Sequence, residues 1–480
     1  MASGNQSLEA YPMYIGGEWV ATSEQTEVRL PYDGSPAGRV YQAGPELVDR
    51  AVAAAGAASA KMRALANYER ADLLLRLVEL VRRDLADFAR LIASETGKPI
   101  REARLEVERG IQTLIASAEA ARSLCGEVVP MDAAPAGKGR MALTVREPRG
   151  VVAAITPFNF PFNLALHKIG PALGAGNAVV HKPAGVTPLS ALRLARAMEE
   201  AGAPPGAYNV VTGPGSLTGE ALVRHSGVNM VTFTGSAEIG LAIKVAAGLK
   251  HVTLELGGNS AVIIEPDADL ENAVARSVVG AFANSGQVCI SVQRIYVHES
   301  VAAKFLESFV AATERLVIGR PFDESTDISS LITEKEAVRV EQWIEEAIAA
   351  GAQLLTGGRR TGATVSPAIL AEAGEQLRVC CQEVFGPVVV VNRYRMLEEA
   401  IERVNNSVYG LQAGVFTRDL ERAFRAARRL EVGGVIINDV PTFRADHMPY
   451  GGVKQSGTGR EGPKYAIEEM TELKLICWKV

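Results

Sequence analysis

The sequence predicts an α/β protein built from two successive regions of alternating strands and helices. Residues 45–123 carry apolar side chains at three- and four-residue spacing, which indicates amphipathic helices. Short apolar runs then alternate with helical segments between residues 151 and 258. The alternation starts again after Gly258, which places a domain boundary there. Because consecutive parallel strands are joined by helices, this order favours parallel sheets with helices on their faces.

Local patterns predict the elements of the first region. MYIGGEWV is expected to be strand-like, with its turn at Gly16 and Gly17. The helices expected before the first parallel strands are ELVDRAVAAAGAASAKM and RADLLLRLVELVRRDLADFARLIASET. The expected strands are GVVAAI, NAVVHKP, YNVVTG, VNMVTFTGS and HVTLELGG, and the helices between them are SALRLARAMEEAG, LTGEALVRH and AEIGLAIKVAAG.

The second region supplies another set of strands. They are expected in SAVIIEP, QRIYVHE, VSPAIL, GPVVVVNRY and GGVIINDV. The final segment, KYAIEEMTELKLICWKV, alternates between apolar and polar residues like a strand. An exposed strand requires a partner edge, because its backbone N–H and C=O groups are otherwise unpaired.

Composition excludes several classes of protein. The 480 residues suffice for two large domains or three unequal ones. The 50 basic and 55 acidic side chains leave a net charge of −5, so no basic field is available for nucleic acid. The start, MASGNQSLEAYPM, has no positively charged region followed by an apolar run, so no secretory signal is expected. No stretch is apolar over the length that a membrane span requires.

The five cysteines indicate a reducing, cytoplasmic compartment. Their count is odd and no CxxC pair occurs, so neither a disulfide framework nor a zinc or other metal site is expected. Cys380 and Cys381 are adjacent, and a bridge between them would strain the geometry that disulfides prefer.

Two glycine-containing turns point to a nucleotide. TGPGSLTG and FTGSAEIG each lie between a predicted strand and a predicted helix, where backbone N–H groups can bind an anion. Gly213, Gly215 and Gly219 are spaced as G-x-G-x-x-x-G, which differs from the usual dinucleotide fingerprint. The turns therefore favour a phosphate-bearing ligand without specifying how it is bound.

The motif NSGQVCIS offers Cys289 as a nucleophile, and two chemistries remain open for it. A cysteine hydrolase needs a histidine partner, and none of the six histidines lies in a recognisable partner motif. A thiol that adds to an aldehyde, whose hydride then leaves to a nicotinamide, needs an oxyanion donor and a base for water. The candidates are Asn159 in TPFNFPFN, Glu255 in LELGG, and Glu383 with Phe385 in EVFGP.

At these residues the sequence resembles the NAD(P)-dependent aldehyde dehydrogenase superfamily. PFNFP, GNAVVHKPA, FTGS, LELGGNS, NSGQVCIS and EVFGPV occur in the family's order and spacing, and the similarity covers nearly the whole chain. It implies an aldehyde dehydrogenase fold with a Rossmann-like cofactor domain (1–129 and 150–258) and an α/β catalytic domain (259–459). It also implies a β oligomerisation arm (130–149 and 460–480), whose last strand pairs with another subunit in a homodimer or homotetramer.

The resemblance also implies catalytic roles. Cys289 is the nucleophile, and its backbone N–H and the amide of Asn159 form the oxyanion hole. Glu255 activates the water that hydrolyses a thioester, with Lys168 and Glu461 relaying its proton. Relatives that release acyl-CoA lack this base, so Glu255 favours hydrolysis to a carboxylic acid.

The implied cofactor is NAD or NADP. The implied cofactor-binding residues are Ile155, Thr156, Pro157, Phe158, Lys182, Gly185, Gly215, Gly219, Phe233, Thr234, Gly235, Ser236, Ile239, Leu256, Glu383 and Phe385. NAD-preferring relatives often carry glutamate at the position of Gly185, where it repels a 2′-phosphate. Glycine at this position predicts that NADP is tolerated.

Three side chains suggest an anionic or hydroxylated substrate tail. Arg109, His167 and Arg444 fall where the resemblance places the substrate tunnel, and arginine binds anions through charge-assisted hydrogen bonds. The pattern is similar to members acting on lactaldehyde and on phosphorylated, phosphonated, sulfonated or carboxylated short aldehydes. Val288 replaces the arginine that phosphoglyceraldehyde-specific relatives often have, which argues against phosphate. Alternatively, Arg109 pairs with Glu106 or Glu108.

Two other functions remain open at this point. A cofactor-independent cysteine hydrolase would use Cys289 with a distant histidine. A non-catalytic relative would keep the fold and bind a nucleotide. The joint presence of Asn159, Glu255 and Cys289 argues against a non-catalytic relative, because a site that catalyses no reaction does not require all three residues.

Overall fold

The computed structural model describes residues 8–480. The segment MASGNQS, on which part of the argument about a secretory signal rests, lies outside the described residues. The helices are α1 (Pro45–Ala64), α2 (Asn67–Arg83), α3 (Leu85–Thr96), α4 (Ile100–Ser123), α5 (Asn163–Gly174), α6 (Leu189–Glu200), α7 (Glu220–Arg224), α8 (Ala237–Ala246), α9 (Leu270–Phe282), α10 (Glu299–Glu314), α11 (Glu334–Ala349), α12 (Arg378–Cys381), α13 (Leu397–Asn405), α14 (Leu420–Arg429) and α15 (Pro463–Glu469). The strands are β1 (Ala10–Tyr11), β2 (Met13–Ile15), β3 (Glu18–Val20), β4 (Gln25–Arg29), β5 (Pro36–Tyr41), β6 (Val128–Val129), β7 (Arg140–Pro148), β8 (Val151–Ile155), β9 (Ala178–Lys182), β10 (Tyr208–Val210), β11 (Met230–Thr234), β12 (His251–Glu255), β13 (Ala261–Ile264), β14 (Arg294–His298), β15 (Gln353–Thr356), β16 (Arg360–Thr361), β17 (Thr364–Val365), β18 (Ala368–Ala371), β19 (Val388–Tyr394), β20 (Tyr409–Gly410), β21 (Gln412–Phe416), β22 (Gly434–Ile437), β23 (Val453–Lys454), β24 (Gly457–Thr458) and β25 (Thr471–Lys479).

The larger sheet has eight strands in the order β24-β12-β11-β8-β9-β10-β2-β3. Its five central strands, β12, β11, β8, β9 and β10, are parallel, as the alternation of strands and helices predicted. Strand β2 pairs with β10 antiparallel and turns into β3 at Gly16 and Gly17. Parallel strands covered on both faces are expected to be continuously apolar, and β8, β9 and β11 are buried along their full length.

Helices cover both faces of this sheet. Along β8, Val152 and Ala154 pack into the apolar cluster that contains residues of α2–α6, whereas Val151 and Ala153 pack into the cluster that contains residues of α1. Successive side chains of a strand point to opposite faces, so β8 contributes to two cores. The four long helices between residues 45 and 123 confirm the amphipathic periodicity of that region.

The second sheet has seven strands in the order β15-β18-β19-β14-β13-β21-β22. All of them follow Gly258 in the chain, and every pair except β15–β18 is parallel. The five predicted strands are present, but the edge strand β15 and β21, which separates β13 from β22, were not predicted. The sequence of β21, QAGVF, is fully buried but contains Gln412 and Gly414, which weaken the apolar pattern.

A smaller antiparallel sheet, β25-β7-β6, lies outside both parallel sheets. Its last strand, β25, pairs over its whole length with β7 of the same chain and forms one edge of this sheet. The expected pairing of this strand with another subunit stays a prediction. Only part of the segment 460–480 lies in this sheet, since α15 packs on α4 and α5 and buries Ala466 and Ile467. Along β25 every residue after Thr471 is exposed.

Residues 8–480 contain neither a membrane-spanning helix nor a cluster of metal-binding side chains. No helix in this part of the chain is long and apolar enough to cross a membrane. Within the same residues, no group of three or more histidine, cysteine and acidic side chains is arranged to hold a metal ion.

Candidate active site

The carboxyl ends of four neighbouring parallel strands converge at one edge of the larger sheet. Ile155 ends β8, Lys182 ends β9, Thr234 ends β11 and Glu255 ends β12. Ligands of open α/β sheets bind in the crevice beyond these strand ends. The local strand patterns therefore bring together residues that are far apart in the sequence.

A cavity of about 690 Å³ opens at this edge and reaches Cys289. Fifteen of the sixteen predicted cofactor residues line it, together with Asn159. These fifteen are Ile155, Thr156, Pro157, Phe158, Lys182, Gly215, Gly219, Phe233, Thr234, Gly235, Ser236, Ile239, Leu256, Glu383 and Phe385. Gly185 is exposed and does not line the cavity, although its neighbour Ala184 does.

The lining suits a dinucleotide. A Cβ at Gly215 would meet no atom within 4 Å, so this turn leaves room for a ligand against the backbone. The buried hydroxyl of Thr234 has no hydrogen-bond partner, and the Lys182 amine donates only to the Pro183 carbonyl, at 3.0 Å. Burial lowers the pKa of Lys182 to about 8 and raises that of Glu383 to about 7. Buried polar groups of this kind are normally paired, which indicates that a polar ligand completes the site.

Several residues that line the cavity were not predicted from the sequence. They lie on a π-helical turn, Gly215–Gly219, on α7 and on α8. These residues are Ser216, Glu220, Val223, Arg224, Ala242, Ile243 and Ala246. The signal was present in the two predicted helices that flank β11, because helices next to the strand ends border the crevice.

The turn before Cys289 has an unusual backbone. Asn284, Ser285 and Gly286 have φ values of 49°, 54° and 74°, in the left-handed region that residues with a side chain rarely adopt. The carboxylate of Glu102 accepts from the Asn284 N–H at 2.8 Å, and the Ser285 hydroxyl donates to the Ser329 carbonyl at 3.0 Å. Contacts from two other segments thus hold a strained conformation, as is common at functional sites.

A buried ion pair holds the loop that carries Asn159. The Lys98 amine donates to Glu106 and to the Asn159 carbonyl, both at 2.6 Å, and both charged side chains are fully buried. Glu106 also accepts from the N–H of Phe162 at 2.9 Å. The amide of Asn159 points at the cysteine turn and donates to the Gln287 carbonyl at 2.9 Å. Asn159 and Cys289 line the same cavity, which is the arrangement that an oxyanion donor requires.

The Cys289 sulfur lies 2.9 Å from the hydroxyl of Tyr450, a residue that the sequence analysis did not identify. Burial raises the pKa of the Cys289 thiol to about 12. No histidine within the described part of the chain hydrogen-bonds this sulfur, so the arrangement that a cysteine hydrolase needs is not formed.

Glu255 is buried, and neither of its carboxylate oxygens has a hydrogen-bond partner among residues 8–480. Burial, and after it the negative charge of Glu461, raise the pKa of Glu255 well above its ordinary value. Glu255 does not line the cavity, but Leu256 and Gly257, the next two residues, do. An unpaired carboxylate with a raised pKa beside a cavity is typical of a general base.

Glu461 links the candidate relay residues. Its carboxylate accepts from Lys168 at 2.9 Å and from Arg444 at 3.0 Å, and all three side chains are buried. Burial would raise the pKa of Glu461, but Lys168 and Arg444 outweigh it and lower the pKa to about 2. Glu461 is therefore ionised at neutral pH.

The other two candidate substrate residues share one carboxylate. Arg109 and His167 both donate to Asp446, at 2.9 Å and 3.0 Å. The alternative that Arg109 pairs with Glu106 or Glu108 is therefore wrong. Glu106 forms its ion pair with Lys98 instead. Burial, and after it the charge of Arg444, lower the pKa of His167, so its ring is neutral rather than cationic at pH 7. None of the three candidates, including Arg444, lines the large cavity.

Comparisons with known proteins agree with this geometry. Residues 19–476 match the aldehyde dehydrogenase family. The chain is 51% identical over 469 residues to 3-sulfolactaldehyde dehydrogenase of Priestia aryabhattai, covering 98% of each chain. It is 41% identical to lactaldehyde dehydrogenase of Methanococcus aeolicus, covering 97% of this chain and 99% of the other.

Solved structures agree as well. Aldehyde dehydrogenase 21 of Physcomitrella patens, in complex with the reaction product succinate, has a TM-score of 0.96 and 38% identity, covering 98% of this chain and 99% of that one. Glyceraldehyde-3-phosphate dehydrogenase GapN of Methanocaldococcus jannaschii, complexed with NADP, has a TM-score of 0.92 and 40% identity, covering 96% of this chain and 100% of that one. The chain therefore belongs to the aldehyde dehydrogenase family and is an NAD(P)-dependent oxidoreductase that acts on aldehydes.

Proposed function

We propose that this enzyme oxidises a short aldehyde with an anionic or hydroxylated tail to its carboxylic acid, through a thioester on Cys289. The observation that carries the proposal is the single cavity that joins the dinucleotide-binding lining to the Cys289 thiol. A shared cavity lets a carbon bonded to sulfur meet the cofactor without leaving the site.

The first half of the reaction forms a bond at sulfur. The Cys289 thiolate adds to the carbonyl carbon, and the oxygen that gains the electron pair lies between the Asn159 amide and the Cys289 N–H. Bound NAD or NADP supplies an acceptor for the hydride that leaves this carbon, and a thioester remains on Cys289. Lys182 and Glu383 would hold the two riboses, and Phe385 would pack near the nicotinamide. The ring of Phe385 lies edge-on to that of Phe158, with 5.7 Å between the ring centres.

The second half breaks the carbon–sulfur bond. Ionised Glu255 accepts a proton from water, whose oxygen adds to the thioester carbon and expels the Cys289 thiolate. The carboxylic acid leaves and the nucleophile is restored. Lys168 and Glu461 would then pass the proton on, since Lys168 hydrogen-bonds Glu461 and the negative charge of Glu461 acts on Glu255.

The charges around the site support an anionic tail. Glu255 and Glu383 also lie near the thiol, but their raised pKa values reduce the negative charge that they carry. In the ion-paired cluster, the three cations Lys168, Arg109 and Arg444 outnumber the two carboxylates Glu461 and Asp446 by one. This excess positive charge near the thiol favours a substrate with one negative charge. The similarity to an enzyme named for 3-sulfolactaldehyde points in the same direction.

His167 supports a hydroxyl group on the substrate. Its Nε2 bonds to Asp446, whereas its buried Nδ1 has no hydrogen-bond partner. With a lowered pKa, the ring is neutral and Nδ1 is an acceptor. We propose that Nδ1 of His167 accepts a hydrogen bond from a substrate hydroxyl and that Arg109 binds the anionic tail. The positive charge of Arg444 adds to the attraction of this tail.

The substrate assignment is tested with Arg109→Gln on 3-sulfolactaldehyde, lactaldehyde and propionaldehyde. We expect kcat/KM for the sulfonate to fall about tenfold, mainly through KM, because a charge-assisted hydrogen bond is lost. Propionaldehyde should be unaffected. Reduced cofactor is followed by its absorbance.

The matched control is Arg104→Gln, which lies on the same helix but pairs with Glu324 on the surface. It should change none of the three rates. Equal losses on all three aldehydes with Arg109→Gln, or no loss on the sulfonate, would contradict the role of Arg109 in tail binding.

The tolerance of NADP is tested at Gly185. A Cβ there would meet nothing within 4 Å, so a side chain can be added without a clash. We expect Gly185→Glu to lower the ratio of kcat/KM for NADP to that for NAD by about tenfold or more, because the carboxylate repels a 2′-phosphate. Gly185→Gln has the same shape without the charge and should leave the ratio unchanged. A ratio unaffected by glutamate would show that the phosphate binds elsewhere.

We also propose that the enzyme is a cytoplasmic homodimer or homotetramer, with residues 130–149 and 471–480 as the arm and Gly258 as the boundary between the cofactor and catalytic domains. Exposed apolar residues support self-association. On α8 and just beyond its end they are Leu241, Val245 and Leu249, and on β25 they are Leu473, Leu475, Ile476 and Trp478. The five unpaired cysteines support a reducing compartment.

A further inference from the structure

In the described part of the chain, the side-chain hydrogen-bond partner of the Cys289 thiol is Tyr450 and not a basic residue, and the surroundings of the thiol make its ionisation difficult. Its burial disfavours the thiolate, and the carboxylates of Glu383 and Glu255 add to the effect. Two groups act in the opposite direction, namely the hydroxyl of Tyr450 and the guanidinium of Arg444. Their geometry explains how the nucleophile can be formed.

Tyr450 is held rigidly beside the sulfur. Its backbone N–H donates to the Glu461 carbonyl at 3.1 Å and its carbonyl accepts from the Glu461 N–H at 2.7 Å. Its ring is buried against Ile290 and Leu411, and its hydroxyl lies 2.9 Å from the Cys289 sulfur. Burial raises the pKa of Tyr450 well above its ordinary value, so the phenol keeps its proton. A phenol that keeps its proton is a donor and cannot serve as the base.

Arg444 lies on the face of the same ring. Its guanidinium carbon is 3.7 Å from the centre of the Tyr450 ring, and one Nη donates to Glu461 at 3.0 Å. A cation over an aromatic face is attracted by the π electrons. It draws electron density from the ring and so makes the phenolic O–H a stronger donor.

We propose that Tyr450 is a catalytic residue that donates its O–H to the Cys289 thiolate, and that Arg444 is a positioning residue that strengthens this donation through the ring. The thiol proton leaves to solvent water, and the Tyr450 proton stays on its oxygen. The proposal rests on the role of Cys289 as the nucleophile. It gives Arg444 a function at the thiol besides its charge toward the substrate.

The test measures the reactivity of the thiol without turnover. Iodoacetamide is added to the full-length protein between pH 7 and pH 10, and alkylation of Cys289 is followed by peptide mass spectrometry. With Tyr450→Phe we expect the rate at each pH to fall about three- to tenfold. Loss of a hydrogen bond to the charged thiolate raises the pKa of the thiol by about one unit, which lowers the fraction of thiolate at each pH. The thiolate without this hydrogen bond is more nucleophilic, which partly offsets the fall in rate. An unchanged or faster rate would overturn the proposal.

A second variant separates the contribution of Arg444. Arg444→Gln should also slow alkylation, and in that background Tyr450→Phe should have a smaller effect than in the parent enzyme. Additive effects would show that Arg444 does not act through Tyr450. Tyr465→Phe, a partly exposed tyrosine on α15, serves as the control and should not change the rate.

The outcome also distinguishes this proposal from the proposed function. If Cys289→Ser abolishes aldehyde turnover and Tyr450→Phe leaves alkylation unchanged, only the role of Tyr450 fails. If Cys289→Ser retains turnover, the proposed function itself fails.

Discussion

Replacing Cys289 by serine is expected to lower kcat for aldehyde oxidation by at least about a thousandfold, since the covalent step is lost. An alcohol in the same buried position is a far weaker nucleophile, because its pKa is much higher than that of a thiol. The side chains are similar in size, so the cavity and the Asn159 loop should keep their shape. The measurement is the initial rate of cofactor reduction with lactaldehyde at saturating NAD and, separately, NADP.

The control for Cys289→Ser is binding of the cofactor. Fifteen predicted cofactor residues line the cavity, and none of them is altered. The dissociation constants of NAD and NADP, measured by calorimetry, should therefore stay within about twofold of the parent values, because the contacts to the dinucleotide are unchanged. A kcat within tenfold of the parent enzyme would contradict the thiol mechanism.

The second large effect is expected at Glu255. Glu255→Gln keeps the shape of the side chain but cannot accept a proton from water, so the thioester should persist. We expect one equivalent of reduced cofactor to form in a burst, followed by a steady-state rate about a hundredfold or more below that of the parent enzyme. Stopped-flow absorbance measures both phases.

The pH dependence gives an independent test of Glu255. Its raised pKa shifts formation of the basic carboxylate to higher pH, so that the basic form increases as the pH rises. Steady-state turnover of the parent enzyme should therefore rise with pH. The residual rate of Glu255→Gln should lack this rise. A parent-like steady state in Glu255→Gln would remove this residue from the mechanism.

The parallel strands were predictable from the sequence because they depend on local patterns, and the individual cofactor-binding residues were predicted from the family resemblance. Apolar runs such as VVAAI mark buried strands, and the residues at their carboxyl ends necessarily meet at one edge of the sheet. Strand β21 was missed because Gln412 and Gly414 interrupt its apolar run, although it is buried between β13 and the edge strand β22.

The partners of the catalytic groups were not predictable in the same way. Tyr450 is 161 residues from Cys289, and Asp446 is 337 residues from Arg109. Tyr450 and Asp446 lie in one loop without strand or helix periodicity, so no local pattern indicates which side chains this loop brings to the site. The sequence therefore did not reveal that Arg109, His167 and Arg444 each have a carboxylate partner.

The Asn159 loop illustrates the same limit. Its motif, TPFNFPFN, was recognised, but the ion pair of Lys98 and Glu106 that holds it was not. These two side chains look like ordinary surface charges in the sequence, and only the packing of α4 against the loop buries them. Burial of a matched pair is a property of the folded chain that composition does not reveal.

The most direct test of the mechanism is the mass of the Glu255→Gln protein, quenched in acid after mixing with lactaldehyde and NAD or NADP. The account predicts a mass increase equal to the acyl group of the substrate, located on the peptide that contains Cys289. The adduct should be absent without cofactor and absent in the Cys289→Ser, Glu255→Gln double variant. Reduction of the cofactor without any adduct on Cys289 would contradict a thioester intermediate.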